Sequence, residues 1–153
     1  MFGDRTFAGH KDRALGEARA AAARGETPVG AVLSAPDGAV LAADGNRVRE
    51  RRDPTAHAEM LVIRAAAAAL GAERLTGCGL TVTLEPCPMC AGAISFARIA
   101  RLWYGAPDPK GGGVEHGARV FAHPTCHHRP EIYGGIAERE CAALLTEFFR
   151  TLR

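Results

Sequence analysis

This 153-residue chain has no long apolar run; its longest purely apolar stretch, Ala65 to Leu70, falls far short of the roughly 20 residues a membrane-spanning helix needs. The opening Met1-Phe2-Gly3-Asp4-Arg5 carries no apolar core followed by a small-residue cleavage site. A secretory signal is therefore not expected, and a cytoplasmic location, with no membrane partner, is the default. Strong charge of either sign is missing too. The 19 basic and 17 acidic residues leave a net charge of +2, below the excess that nucleic-acid-binding domains often carry. A nucleic-acid partner would have to be held by local patches and by shape. Two patches are present: Arg47, Arg49, Arg51 and Arg52, offset by Glu50 and Asp53, and Arg150 with Arg153 at the end. Both read equally as solvated surface. Nor is there an even set of cysteines. The five present, Cys78, Cys87, Cys90, Cys126 and Cys141, argue against a disulfide framework, and metal binding explains the close pair better. No repeat or low-complexity linker divides the chain. Residues 1–153 therefore read as one domain, with residues 1–10 as a flexible, frayed end.

What is there is a soluble globular composition, 47% hydrophobic and 24% charged. An alanine-rich helix is expected from about Lys11 to Arg24. Pro28 to Leu33 and Ala39 to Ala42 read as two strands joined by a hairpin turn at Asp37-Gly38. Asp53-Pro54-Thr55 reads as a helix start, with Asp53 or Thr55 as cap, leading a helix from about Ala56 to Leu70 that Gly71 ends. That helix is apolar on most faces and is expected to be deeply buried. Leu80, Val82 and Leu84 alternate with Thr81 and Thr83, the period of a strand. Pro86 suits the first turn of a helix running to about Ala97, and Arg101 to Tyr104 reads as the next strand. Ala106 to Gly117 is loop. Ala137, Cys141, Leu144, Leu145, Phe148 and Leu152 then recur at helical spacing. This order predicts an α/β fold, a mixed sheet with helices on both faces.

Two segments carry chemistry: His57-Ala58-Glu59 and Pro86-Cys87-Pro88-Met89-Cys90. A Cys-x-x-Cys pair alone also occurs in structural zinc sites and redox proteins, but redox chemistry leaves His57 and Glu59 unexplained. Cys87 and Cys90, three apart at a helix start, share one face, and the positive end of the helix favours thiolates. His57 supplies a third ligand, and three protein ligands leave a fourth tetrahedral position for water, as catalytic zinc requires. Glu59 can sit beside that water without binding the metal. H-x-E followed by P-C-x-x-C is the signature of the zinc deaminases, in which the glutamate is general acid and base. Cys126-His127-His128-Arg129 offers a second metal site or, since adjacent histidines face different ways, RNA contact or surface. Cys78 and Cys141 read as small buried residues.

The chain resembles the tRNA-specific adenosine deaminases, within the cytidine deaminase-like superfamily. The likeness rests on Asn46-Arg47, Asp53 to Glu59, Thr83 to Ala91, Tyr104-Gly105-Ala106, Asp108-Pro109-Lys110, Glu140 to Leu145 and Phe148 to Arg150. It implies a three-layer α/β/α sandwich around a mainly five-stranded mixed sheet, homodimers with active sites shared between subunits, and one Zn2+ per subunit. By the resemblance His57, Cys87 and Cys90 bind the zinc and Glu59 shuttles protons, as the residues themselves suggest. It also implies that Asn46 binds the flipped-out base or its sugar and that Asp108 and Lys110 contact the backbone of a tRNA anticodon loop. Phe149 and Arg150 would border the RNA groove. Taken alone, Asn46 reads as a turn residue and Phe149 as core. The implied reaction is conversion of adenosine to inosine at the wobble position of an arginine tRNA. The Gly111-Gly112-Gly113-Val114-Glu115-His116 segment departs from many bacterial members. A deaminase of free guanine, cytosine or a nucleoside would use the same zinc and glutamate, and stands as the rival reading. A non-catalytic zinc scaffold or RNA-binding subunit would have no use for Glu59.

Overall fold

The computed structural model describes residues 2–152, with side chains from residue 10 onward. Met1, Arg153 and the side chains of residues 2–9 lie outside the described residues. Helix α1 spans Phe2–Ala23, so its backbone begins well before the expected Lys11. Strands β1 (Gly30–Ser34) and β2 (Val40–Gly45) follow. They are joined at the expected turn, where Gly38 holds φ +93° and the Ala39 N–H donates to Asp37 Oδ1 at 3.0 Å. Next come α2 (Val48–Arg51), α3 (Ala58–Leu70), β3 (Gly79–Leu84), α4 (Pro88–Ala97), β4 (Arg101–Ala106), β5 (Glu131–Tyr133) and α5 (Glu138–Thr151). One 3-10 turn at Val120–Ala122 lies between the last two strands.

The five strands form one sheet in the order β2-β1-β3-β4-β5. Strand β1 is antiparallel to both β2 and β3, whereas β3, β4 and β5 are parallel, so the sheet is mixed as expected. One face carries α3 and α4 over Val62, Ala66, Leu80, Val82, Ile94 and Leu102. The other carries α1 and α5, with Leu15, Ala106 and Cys141 packed together. The architecture is the three-layer α/β/α sandwich. Among the described residues, no helix is long and apolar enough to cross a membrane.

Three expectations need correction. As helices on both faces of the sheet imply, Thr81 and Thr83 are buried like Leu80 and Val82, and the corrections lie in the helices. Thr83 Oγ1 satisfies the Gly30 N–H at 3.1 Å. Helix α3 starts at Ala58, not Ala56, because Asp53 Oδ1 is taken by the N–H and hydroxyl of Thr55 in a local turn and caps nothing. The same helix is buried along one stripe only, and Leu70 on its outer side is 49% exposed. Helix α4 starts at Pro88, two residues after the expected Pro86, and so leaves Cys87 at its N-cap. Strand β5 and helix α2 gave no expectation of their own.

Candidate active site

The polypeptide leaves β3 at Leu84 and turns into α4, while α3 starts close by. His57 is the N-cap residue of α3 and Cys87 the N-cap residue of α4. Both have extended backbones, with φ/ψ of −70°/151° and −71°/172°, and neither side chain caps its own helix. Each is therefore free to point across the gap. His57 Nδ1 lies 3.6 Å from Cys87 Sγ and 3.5 Å from Cys90 Sγ. Zinc–sulfur bonds of about 2.3 Å and zinc–nitrogen bonds of about 2.0–2.1 Å, at a tetrahedral angle, separate N and S by about 3.6 Å. The three donors therefore fit a zinc ion as they stand. Among the described residues they are the group of His, Cys, Asp and Glu side chains close enough to hold a metal.

Electrostatics at the cluster favour the same species. A hydrogen bond from the Cys90 thiol, helped by His57 and opposed by burial, holds the Cys87 thiol down at about 4. Cys90 is pushed up by that shared hydrogen bond and by burial, so the pair begins as one thiolate and one thiol. His57 is raised through its hydrogen bond to Cys87. Glu59, in the first turn of α3 and 4% exposed, is pushed up to about 7 by burial, against its own backbone N–H and the attraction of His57. A carboxyl group poised there can both accept and donate a proton at neutral pH.

A cavity of about 330 Å³ opens beside His57, lined also by Glu26, Asn46, Arg49, Phe148 and Phe149. Asn46 Oδ1 accepts the Ala58 N–H at 2.9 Å, which supplies α3 with the cap its own N-cap residue does not. Its amide N–H2 is left facing the cavity side without a protein partner among the described residues. Glu26, buried, accepts the N–H groups of Arg49 (3.1 Å) and Glu50 (2.8 Å), fixing α2 as a wall of the cavity. Sequence reasoning missed Glu26, because nothing in Gly25-Glu26-Thr27 marks it. Phe148, on the apolar spacing of the C-terminal helix, lines the cavity with its ring edge-on to Phe149, ring centres 5.5 Å apart.

The remaining candidates lie apart. Asp108 Oδ1 accepts the Gly111 N–H at 2.9 Å, and Lys110 is exposed on the same loop; neither lines the cavity. Arg150 is exposed and paired with Glu147 at 3.2 Å. His128 belongs to the structure, not the surface: its Nε2 is 2.7 Å from the Ile99 carbonyl oxygen and its N–H donates to Ser95 Oγ at 3.1 Å. His127 instead packs on Phe96, ring centres 5.7 Å apart.

Two N-capping ligands, a buried glutamate and an adjoining cavity define the class of zinc-dependent deaminases. The model of the cytidine and deoxycytidylate deaminase zinc-binding region matches residues 8–106. The tRNA-specific adenosine deaminase of Agrobacterium fabrum (strain C58) is 63% identical over 140 residues, 92% of this chain and 91% of that protein. A structure solved in studies of A-to-I editing by tRNA:A34 deaminases superposes with a TM-score of 0.88 at 61% identity, covering 90% of this chain and 99% of that one. The guanine deaminase of Bacillus subtilis matches with a TM-score of 0.63 at 42% identity, over 69% of this chain and 65% of its own. The chain belongs to the tRNA-specific adenosine deaminase family.

Replacing Cys90 by alanine removes a buried donor from a set of three. Cys90→Ala is expected to lose most bound zinc on dialysis against a chelator that leaves the wild type loaded. Metal analysis checks this; retention of a full equivalent would take Cys90 out of the ligand set.

Proposed function

We propose that this chain is a cytoplasmic homodimeric enzyme that hydrolytically deaminates adenosine to inosine at the wobble position of a tRNA anticodon, with arginine tRNA as the substrate. The observation that carries a polymer substrate is the shape of the site. The cavity beside His57 shares Gly25, Glu26 and Arg49 with a second one of about 610 Å³ that Arg24 and Glu50 also line. Phe149 and Leu152, which wall the first cavity, are 48% and 61% exposed. An open groove with arginines along it suits a nucleotide flipped out of a strand whose phosphates stay outside. A closed pocket would suit a free base.

His57, Cys87 and Cys90 hold the zinc, one ion per subunit. When bound, zinc supplies the Lewis acidity that lets water ionise near neutral pH. The Glu59 carboxylate takes a proton from the attacking water. It delivers protons to the purine ring nitrogen and to the amine, so that adenosine and water become inosine and ammonia. The free amide N–H2 of Asn46 donates to the flipped base or its sugar. Phe148 and Phe149 offer ring faces to neighbouring bases. Asp108, Lys110 and Arg150 take the anticodon-loop backbone at the rim. Support for the homodimer comes from the outer side of α3 and α4, where Leu70 and Phe96 are 49% and 68% exposed.

An anticodon stem-loop of arginine tRNA, offered beside free guanine, cytosine, adenosine and cytidine, is expected to be the one converted, giving inosine. Turnover of free guanine with the stem-loop untouched would keep the zinc chemistry and replace the substrate. Glu59→Ala should retain zinc and lower turnover by at least about 10²–10⁴-fold; turnover near wild type would remove Glu59 from proton transfer. Lys110→Ala should weaken stem-loop binding at low salt and leave zinc content intact, and unchanged affinity would count against the contact. Sedimentation velocity should give twice the chain mass at assay concentrations, whereas a monomer with full activity would overturn the shared site.

A further inference from the structure

The loop between β4 and β5 carries the glycine-rich segment 111–116, and most of its bonds to the zinc-binding peptide go to one residue. Glu85 lies between β3 and Cys87, with its side chain fully enclosed. Its Oε2 accepts three successive backbone N–H groups, from Val114 at 3.1 Å, Glu115 at 2.9 Å and His116 at 2.9 Å. Its Oε1 accepts the Asp108 N–H at 3.0 Å and lies 2.7 Å from His116 Nδ1. Both ends of the segment 108–116 therefore close on a single carboxylate. Next to it, the Gly113 N–H donates to the Pro86 carbonyl at 2.8 Å. Sterics point the same way. A Cβ on Gly112 would lie 2.8 Å from Glu85 Oε2, and one on Gly113 would lie 2.6 Å from the Pro88 nitrogen. The glycines let the backbone lie flat against Glu85 and the start of α4.

We propose that Glu85 is a positioning residue: its carboxylate sets the 108–116 loop, with Asp108 and Lys110 on it, in register with the zinc ligands two and five residues further along. Glu85 touches neither the metal donors nor the cavity. It acts through the loop, and therefore on how substrate is held rather than on the chemical step. This rests on the reading of 108–110 as a substrate-contacting segment.

Glutamine at this position separates the role from mere space-filling. An amide has one acceptor oxygen and one donor nitrogen. If the oxygen stays with the three successive N–H groups, the nitrogen confronts the Asp108 N–H donor to donor. Loss of a hydrogen bond to a charged acceptor corresponds to roughly tenfold or more in an equilibrium constant. Amide hydrogen exchange of the wild-type full-length chain tests the clamp without any variant. Asp108, Val114, Glu115 and His116 should be protected relative to exposed Lys110; exchange as fast as that of Lys110 would overturn the proposal. In Glu85→Gln, the Asp108 amide should exchange roughly tenfold or more faster with zinc content unchanged. KM for the substrate the wild type turns over should rise roughly tenfold while kcat stays within about threefold. An unaltered KM, or a loss confined to kcat with zinc released, would overturn it. His116→Ala removes the one side-chain donor and should give a smaller rise in KM, which keeps the test decisive if Glu85→Gln does not fold. Absence of stem-loop turnover by the wild type would sink the tRNA reading, while the exchange result would still decide whether Glu85 holds the loop.

Discussion

Everything in this molecule is organised around the meeting of two helix N-termini. A helix start is normally satisfied by a small polar side chain at its N-cap. Here those positions hold His57 and Cys87, and neither caps its own helix. The extended N-cap backbone throws each side chain off the helix end, and Cys90 joins them from the first turn of α4. The arrangement needs an outside acceptor for the helix donors left over, and Asn46 supplies it for α3 through Ala58. It also needs α3 and α4 to lie side by side on one face of the sheet. The parallel pairing of β3 and β4 imposes this, because α4 is the crossover between them and packs back on that face. The site sits beyond the carboxyl end of β3, where open α/β sheets place their ligands.

Three buried glutamates show how environment sets the use of one side chain. Glu26 and Glu85 both accept backbone N–H groups from distant segments, and each thereby fixes a piece of irregular chain. Burial alone would raise Glu85, yet the N–H groups of Asp108 and His116 outweigh it and hold the carboxyl below its usual range. Among the described residues Glu59 takes only the Cys90 thiol from another segment, and burial carries it up to about 7. The fold thus keeps Glu85 ionised as a fastener and leaves Glu59 able to exchange a proton.

The zinc cluster was legible because its chemistry is local. Spacing within His57-Ala58-Glu59 and Cys87 to Cys90 reports helix geometry directly, and only the approach of the two segments had to come from the fold. Helix starts were less legible. Asp53 and Thr55 are good caps and equally good turn formers, and the turn won because their hydrogen bonds close on each other. Strand β5 has three residues, with only Ile132 packed against the core, too few to show a period. The alanine run of α3 reads as apolar whether or not it is covered, so composition overstated its burial. Glu26 and Glu85 stayed hidden for a different reason: each works by accepting bonds from residues more than twenty positions away.

Shared chemistry and particular substrate occupy different parts of the chain. The segment common to the wider deaminase family, residues 8–106, contains the metal donors, Glu59, Asn46 and Glu26. Asp108, Lys110, Phe148, Phe149 and Arg150 all lie beyond it. Of these, Phe148 and Phe149 reach the cavity from α5, which packs on the opposite face of the sheet, through Cys141 against Leu15 and Ala106, and presents its far end to the cavity. The 108–116 loop arrives from β4 and closes on Glu85. The attachment of α5 through Cys141 is separate from the metal donors, whereas the loop is fastened beside Cys87. A guanine deaminase can share this core over two thirds of the chain, and the zinc motif alone does not name the substrate. The cavity beside His57 takes its other walls from α2 and α5, outside the two segments that hold the metal donors.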